Sequence, residues 1–171
     1  MPDRPTPNGD NDARAGDGTE SVWDYPRPPA IEPVDERIRV VFNEVTLADT
    51  TAAYRILETS HPPVYYLPPG DIAMEHLEKE ARQTMCEWKG RAIYYTVAVG
   101  DRRAEYAAWA YPSPVDRYEA LAHHLAFYPS KVDACYVGGE EARAQAGDFY
   151  GGWITDAVVG PFKGAPGTVG W

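Results

Sequence analysis

Apolar and polar residues alternate over short runs along most of the chain, and Pro, Gly, Asn and Asp separate the runs. Period-two alternation marks a strand with one buried face. Arg37–Phe42 alternates, Asn43-Glu44 turns, and Val45–Ala48 returns. Ala52–Thr59 reads as strand or helix, since Ala and Leu favour helix. Its exit into His61-Pro62-Pro63 favours an extended end, because the residue before proline avoids the helical region. Val64–Leu67 is a short strand closed by Pro68-Pro69-Gly70, and Asp71 is placed to N-cap a polar helical piece, Ile72–Glu80. Arg91–Val99 is rich in Ile, Val, Thr and Tyr and reads as a strand. Gly100–Arg103 forms its hairpin loop, and Glu105–Tyr111 returns antiparallel. Asp116–Ala122 allows one or two helical turns. His124–Tyr128 and Val132–Val137 are strands, with Gly138-Gly139 turning into Glu140–Ala144. There is no repeat of fixed period. Many short strands with turn signals predict a single, mostly β domain of antiparallel strands with one or two short helices.

The ends differ from this pattern. Met1–Thr19 is Pro, Gly, Asp, Asn and Arg, with Met1 its one large apolar residue, so it is expected to be disordered. Residues 20–34 carry Trp23, Tyr25 and four prolines and read as an extended arm whose aromatics need a groove on the domain or on a second subunit. Residues 35–150 form the core domain. Residues 151–171 are Gly-rich but hold Trp153, Phe162 and Trp171, which predicts a tail docked on the domain or its neighbour. Arm and tail together are candidates for a homodimer contact. Gly160–Thr168 contains Gly, Lys and Thr, but Lys163 precedes Gly164, the wrong order for a P-loop.

Charge narrows the function. Sixteen basic and 26 acidic residues give a net charge of −10. This argues against nucleic-acid backbones and anionic membrane surfaces, both of which need clustered Lys and Arg. No apolar run approaches the ~20 residues a spanning helix needs. Met1–Ser21 lacks the hydrophobic centre of a secretory signal. Cys86 and Cys135 make no disulfide framework, and a reduced pair in the cytoplasm is the simpler reading. Two cysteines cannot form a Cys₄ zinc site, and His123-His124 would face opposite ways on a strand. No metal and no cofactor are expected.

The candidate chemistry centres on Thr84–Tyr95. It reads as a tight turn carrying a thiol (Cys86), an indole (Trp88) and an ammonium (Lys89), released by Gly90 into a strand. Glu58 shares strand parity with Tyr54 and Ile56, so it faces an apolar side and needs a partner. Lys89 is the better candidate partner, since Arg55 has the opposite parity; Arg55 stays among the ligand-binding candidates. Trp109 shares parity with Ala107 and Tyr111, and Tyr95 with Ile93 and Val97. Tyr66, Trp88, Tyr95 and Trp109 are thereby candidate walls of a concave site, with Glu58 and Lys89 as its polar anchors. The competing reading is an aromatic core sealed by a structural Glu-Lys pair. His61 is a base candidate near neutral pH, but between Ser60 and two prolines it reads first as a turn residue. Cys135 reads as packing.

Cys86-x-x-Lys89-Gly90 entering a Tyr-rich strand resembles the central motif of the domain of unknown function 427 family. Further matches in order are Glu20-Ser-Val-Trp-Asp-Tyr-Pro, Leu57-Glu-Thr-Ser-His-Pro-Pro-Val-Tyr-Tyr, Ala108-Trp-Ala-Tyr-Pro and Ala126-Phe-Tyr. The resemblance covers about Glu20 to Trp171. Many members have Cys-Pro-Tyr-Lys-Gly; here Glu87-Trp88 replaces Pro-Tyr and sets an acid beside the thiol. The resemblance implies a fold similar to the β-tent group, which includes methionine sulfoxide reductase type B and the ligand-binding domain of cereblon. It brings no established activity, although the family has been labelled nucleotidyltransferase-like.

Three function classes follow. The first is a small-molecule-binding module gripping its ligand with aromatics while Glu58 and Lys89 orient it. The second is a cofactor-free enzyme in which Lys89 or Cys86 is nucleophile or acid and Glu58 is base. Nucleotidyl transfer ranks lower, because no Asp-x-Asp lies within residues 35–150 to hold Mg²⁺. The third is a structural protein that oligomerises through arm and tail.

Overall fold

The computed structural model describes residues 19–147, 150–168 and 170–171. Apart from Thr19, the N-terminal segment expected to be disordered lies outside the described residues. The strands in chain order are β1 (Glu20–Ser21), β2 (Ala30–Pro33), β3 (Ile38–Phe42), β4 (Val45–Thr50), β5 (Tyr54–Leu57), β6 (Val64–Tyr66), β7 (Leu77–Cys86) and β8 (Gly90–Val99). They continue with β9 (Arg102–Ala110), β10 (Leu125–Phe127), β11 (Ala134–Val137), β12 (Glu140–Glu141), β13 (Arg143–Ala144), β14 (Trp153–Ile154) and β15 (Val158–Val159). The domain is mostly β, as its alternation predicts, and its helical pieces are short 3₁₀ turns.

Two four-stranded antiparallel sheets carry the core, in the orders β10-β9-β8-β7 and β12-β11-β3-β4. Smaller pairings add β2-β5-β6 and β13-β14, while β1 runs parallel to β15. The main core lies between the two large sheets, where Ile38, Val40, Phe42 and Leu47 meet Ile93, Val97 and Phe127. A second core on the other face of β8 and β9 is largely aromatic: Tyr66, Tyr94, Trp109, Tyr111, Tyr118 and Tyr128.

The predicted helix over Ile72–Glu80 does not form. Short 3₁₀ turns cover Pro69–Asp71 and Met74–His76, and Leu77 begins β7. Asp71 caps nothing there; its carboxylate accepts a hydrogen bond from Thr50 Oγ1 at 2.7 Å. The Glu-Lys-Glu-Ala-Arg-Gln run has good helix propensity, but propensity is a weak prior against a ladder of cross-strand hydrogen bonds. β7 is a sheet edge, and its outward charges suit an exposed strand with one free side.

Arm and tail meet each other within the one chain. Val22, Trp23 and Tyr25 pack with Leu57 and Val158, and Phe162 and Trp171 cover this third cluster. Trp23 Nε1 donates to the Pro161 carbonyl at 2.8 Å, and its ring stands edge-on to Trp171 with centroids 5.2 Å apart. The residues Thr59 and Ser60 join both segments to the domain. Thr59 Oγ1 donates to the Tyr25 carbonyl at 2.5 Å, the Ser60 amide donates to Val22, and the Ser60 carbonyl accepts from the Lys163 amide.

Candidate functional site

The β7–β8 hairpin positions the Cys86 stretch. Cys86 pairs with Gly90 across the hairpin, leaving Glu87, Trp88 and Lys89 as its loop. Gly90 has φ of +108°, a conformation that side chains other than glycine's rarely adopt, so the glycine is what allows this turn. The loop is tied down by the Val115 amide, which donates to the Lys89 carbonyl at 3.1 Å. Lys89 thus sits at a hairpin tip yet is only 8% exposed.

Below the hairpin lies an open cavity of about 340 Å³. Its aromatic walls include Tyr66, Trp88, Tyr94, Trp109, Tyr111 and Tyr128, and its polar lining includes Glu58, His61, Cys86, Lys89 and Lys163. Trp109 is central to the wall. Its Nε1 donates to the Tyr66 hydroxyl at 3.3 Å, and its ring lies 4.6 Å from that of Tyr128. Burial pushes the Tyr66 and Tyr111 hydroxyls above the ordinary phenol value. It raises Tyr128 to about 12, with Tyr94 adding to the shift. All three therefore stay protonated and neutral at physiological pH.

The charged groups are not arranged as one closed pair. The Glu58 carboxylate lies 3.6 Å from Arg27 Nε and 3.8 Å from His61 Nε2. Lys89, its expected partner, lines the same cavity but makes no ion pair with it within 4 Å. Among the described residues the Lys89 ammonium has neither hydrogen-bond nor ion-pair partner. It lies over the face of the Tyr111 ring, with the centroid 5.8 Å away. Lys163 lies over Tyr150 at 5.8 Å, and its ammonium also reaches the Trp171 carbonyl at 3.4 Å.

His61 is not the near-neutral base that its ordinary pKa suggests. Burial, and then the charges of Lys163, Arg27 and Lys89, lower it to about 4. The neutral imidazole sits 3.3 Å from Gln145 Nε2 through Nδ1, and its ring meets that of Tyr150 at a 60° tilt with centroids 5.3 Å apart. With Gln145 as donor, the ring proton resides on Nε2, facing Glu58.

The cavity thus brings together Glu58, Lys89, Cys86, Tyr66, Trp88 and Trp109, six of the eight residues singled out in the sequence. Tyr95 and Arg55 lie elsewhere. Across the ladder Trp109 is opposite Tyr94, so Tyr94 shares its face and Tyr95 projects to the other. Tyr95 lines a separate cavity with Ile93 and Leu125 and packs against the main core. Arg55 turns to the arm, where Nε donates to Glu32 at 2.6 Å and a terminal nitrogen to Glu20 at 3.2 Å. Cys135 is buried in β11, and burial drives its thiol pKa upward, as packing requires.

Sequence reading missed Tyr94, Tyr111 and Tyr128 as cavity walls, and Tyr150, Gly151 and Lys163 as its contribution from beyond β13. Strand parity could have exchanged Tyr95 for Tyr94 had the cross-strand partner of Trp109 been known. No pattern signalled that the C-terminal segment reaches the site.

Among the described residues no group of three or more His, Cys, Asp and Glu side chains converges as a metal site. None of the described helices is long and apolar enough to cross a membrane. No curated protein matches the chain. The model of the domain of unknown function (DUF427) matches residues 30–138, which contain the hairpin, Glu58 and the aromatic wall but stop short of Tyr150 and Lys163. The chain belongs to the DUF427 family.

Proposed function

We propose that this protein binds a small molecule in the cavity beneath the β7–β8 hairpin. The observation that carries the reading is a cavity of about 340 Å³ lined by Tyr66, Trp88, Tyr94, Trp109, Tyr111 and Tyr128. The rings pack on one another, Trp109 on Tyr128 at 4.6 Å, and together wall a space at the small end of the range for ligand sites. That size suits a compact ligand with one or two rings. Neutral phenols and an indole supply apolar faces with a few hydrogen-bonding edges, the usual composition of a recognition pocket. Glu58 and Lys89 stand at its polar side and would set the ligand's orientation.

A second reading is a cofactor-free enzyme, favoured by the presence of Cys86, Lys89 and Glu58 on one cavity. His61 is a weak base in this setting, so proton transfer would fall to Glu58. Nucleotidyl transfer has less support, because the described carboxylates do not converge to hold Mg²⁺.

The test is a thermal-shift screen over nucleotides, sugars and small acids, followed by titration of each hit against the Glu58→Gln, Lys89→Ala double variant. A hit whose affinity falls in the double variant supports the cavity. Unchanged affinity in a folded double variant would move the site elsewhere. Turnover of a hit, lost in Lys89→Ala or Cys86→Ser, would select the enzymatic reading.

A further inference from the structure

We infer that the ligand of this cavity is a small aromatic carboxylate whose charged group sits on Lys89 Nζ. The inference rests on the binding reading above and adds the ligand's chemistry. Lys89 is only 8% exposed, lines the cavity, and has no hydrogen-bond or ion-pair partner among the described residues. The Lys89 side chain is enclosed, but its ammonium faces the open cavity, where an anion can pair with it. The protein has carboxylates to spare, with 26 acidic against 16 basic residues, yet among the described residues none lies within ion-pair distance of Lys89. Glu58 is taken up by Arg27 and His61. Glu87, two residues from Lys89, is exposed at the rim. Lys163 adds a second ammonium to the lining, beside the carboxylates of Glu58 and the exposed Glu87.

The free donor bears on the class of anion. Lys163 keeps its charge but is turned to the Trp171 main-chain oxygen and the Tyr150 ring, so Lys89 is the ammonium free to contact an anion in the cavity. A single contacting ammonium suits a monoanionic carboxylate better than a dianionic phosphate. The neighbouring phenols of Tyr66 and Tyr111 stay neutral, so they can hydrogen-bond a carboxylate without repelling it. The ring of the ligand would then lie against Trp109 and Tyr94.

The experiment compares benzoate and 2-naphthoate with their neutral amides and with 2-naphthyl phosphate, by titration of the full chain monitored through tryptophan fluorescence and calorimetry. The expected result is that at least one acid binds ten-fold or more tightly than its amide. That preference should disappear in Lys89→Met and Lys89→Gln, each checked for folding by circular dichroism, while amide binding persists. Lys163→Met should weaken the acid by less than Lys89→Met. Equal binding of acid and amide by the unmodified protein overturns the anion assignment and leaves the cavity reading standing. Tighter binding of the phosphate overturns the carboxylate assignment. Failure of all five probes to bind overturns the inference and leaves the cavity reading to the screen of nucleotides, sugars and small acids.

Discussion

The indole of Trp109 lies against the backbone of Gly151, so closely that a methyl group on Gly151 would stand 2.3 Å from Cη2. Gly152 is equally confined, with a methyl there 2.4 Å from Pro62 Cγ and 2.6 Å from Gln145 Oε1. This Gly-Gly pair lets the C-terminal segment press on the wall of the cavity. Trp109 is only 8% exposed and is held by Tyr66 and Tyr128, so it has little room to yield. Gly151→Ala should therefore destabilise the protein by about 1–3 kcal/mol, the range for overpacking a filled site. It should also shift the tryptophan emission. Urea melts and fluorescence spectra of the variant check both; a neutral substitution would mean that the segment can lift off Trp109 without cost.

Trp153 anchors the same segment more deeply. It is fully buried, its ring lies 4.9 Å from that of Tyr65, and Nε1 donates to the Phe127 carbonyl at 3.0 Å. Trp153→Ala should cost about 3–5 kcal/mol, as large aromatic truncations in cores do. Trp153→Phe should recover much of this but leave the Phe127 carbonyl without its donor. A chain ending at Tyr150 should not fold stably, which circular dichroism would show directly. Cooperative melting of that chain at the full-length temperature would mean the segment contributes nothing to the core.

His61 gives the protein an acid sensitivity of defined sign. Its folded-state pKa, about 4, lies below the ordinary 6.5, so the unfolded chain binds the proton more readily. The stability of neutral His61 is fully present above pH 6.5 and is lost as pH falls toward about 4. At pH 5 the loss should be up to about 2 kcal/mol relative to neutral pH. His61→Gln should flatten that part of the stability profile even if it lowers stability at pH 7. Denaturant melts of both proteins at pH 7 and pH 5 compare the slopes, and equal slopes would assign the acid sensitivity to other groups.

Arg55 and Lys89 should separate stability from binding. Arg55 joins β5 to the arm through Glu20 and Glu32 and does not line the cavity. Arg55→Ala should lower stability by about 1–3 kcal/mol, the scale for hydrogen bonds to charged groups. It should leave the affinity of any cavity ligand unchanged. Lys89→Ala should weaken the ligand with a smaller effect on folding, because among the described residues its ammonium has no hydrogen-bond or ion-pair partner to orphan. Thermal melts and ligand titrations of the two variants distinguish these outcomes.

Local physics let the sequence determine the antiparallel hairpins, the turns at Asn43-Glu44 and Gly90, and the docking of Trp153, because alternation, turn chemistry and the cost of exposing an indole all act within a few residues. The same signals gathered Glu58, Lys89, Cys86 and Trp109 as candidates, since each sits at or near a strand end. Tertiary pairing decided the rest. Whether Tyr94 or Tyr95 faces the cavity depends on which of them lies opposite Trp109, and one residue of register exchanges the two faces. Leu77–Cys86 became a strand instead of continuing a helix because β8 offered partners to Leu77–Lys79 and Gln83–Cys86, on either side of a register shift. Glu58 found Arg27 instead of Lys89 because the arm folds back over the Thr59-Ser60 turn, a contact between residues about 30 apart in sequence that no local pattern encodes.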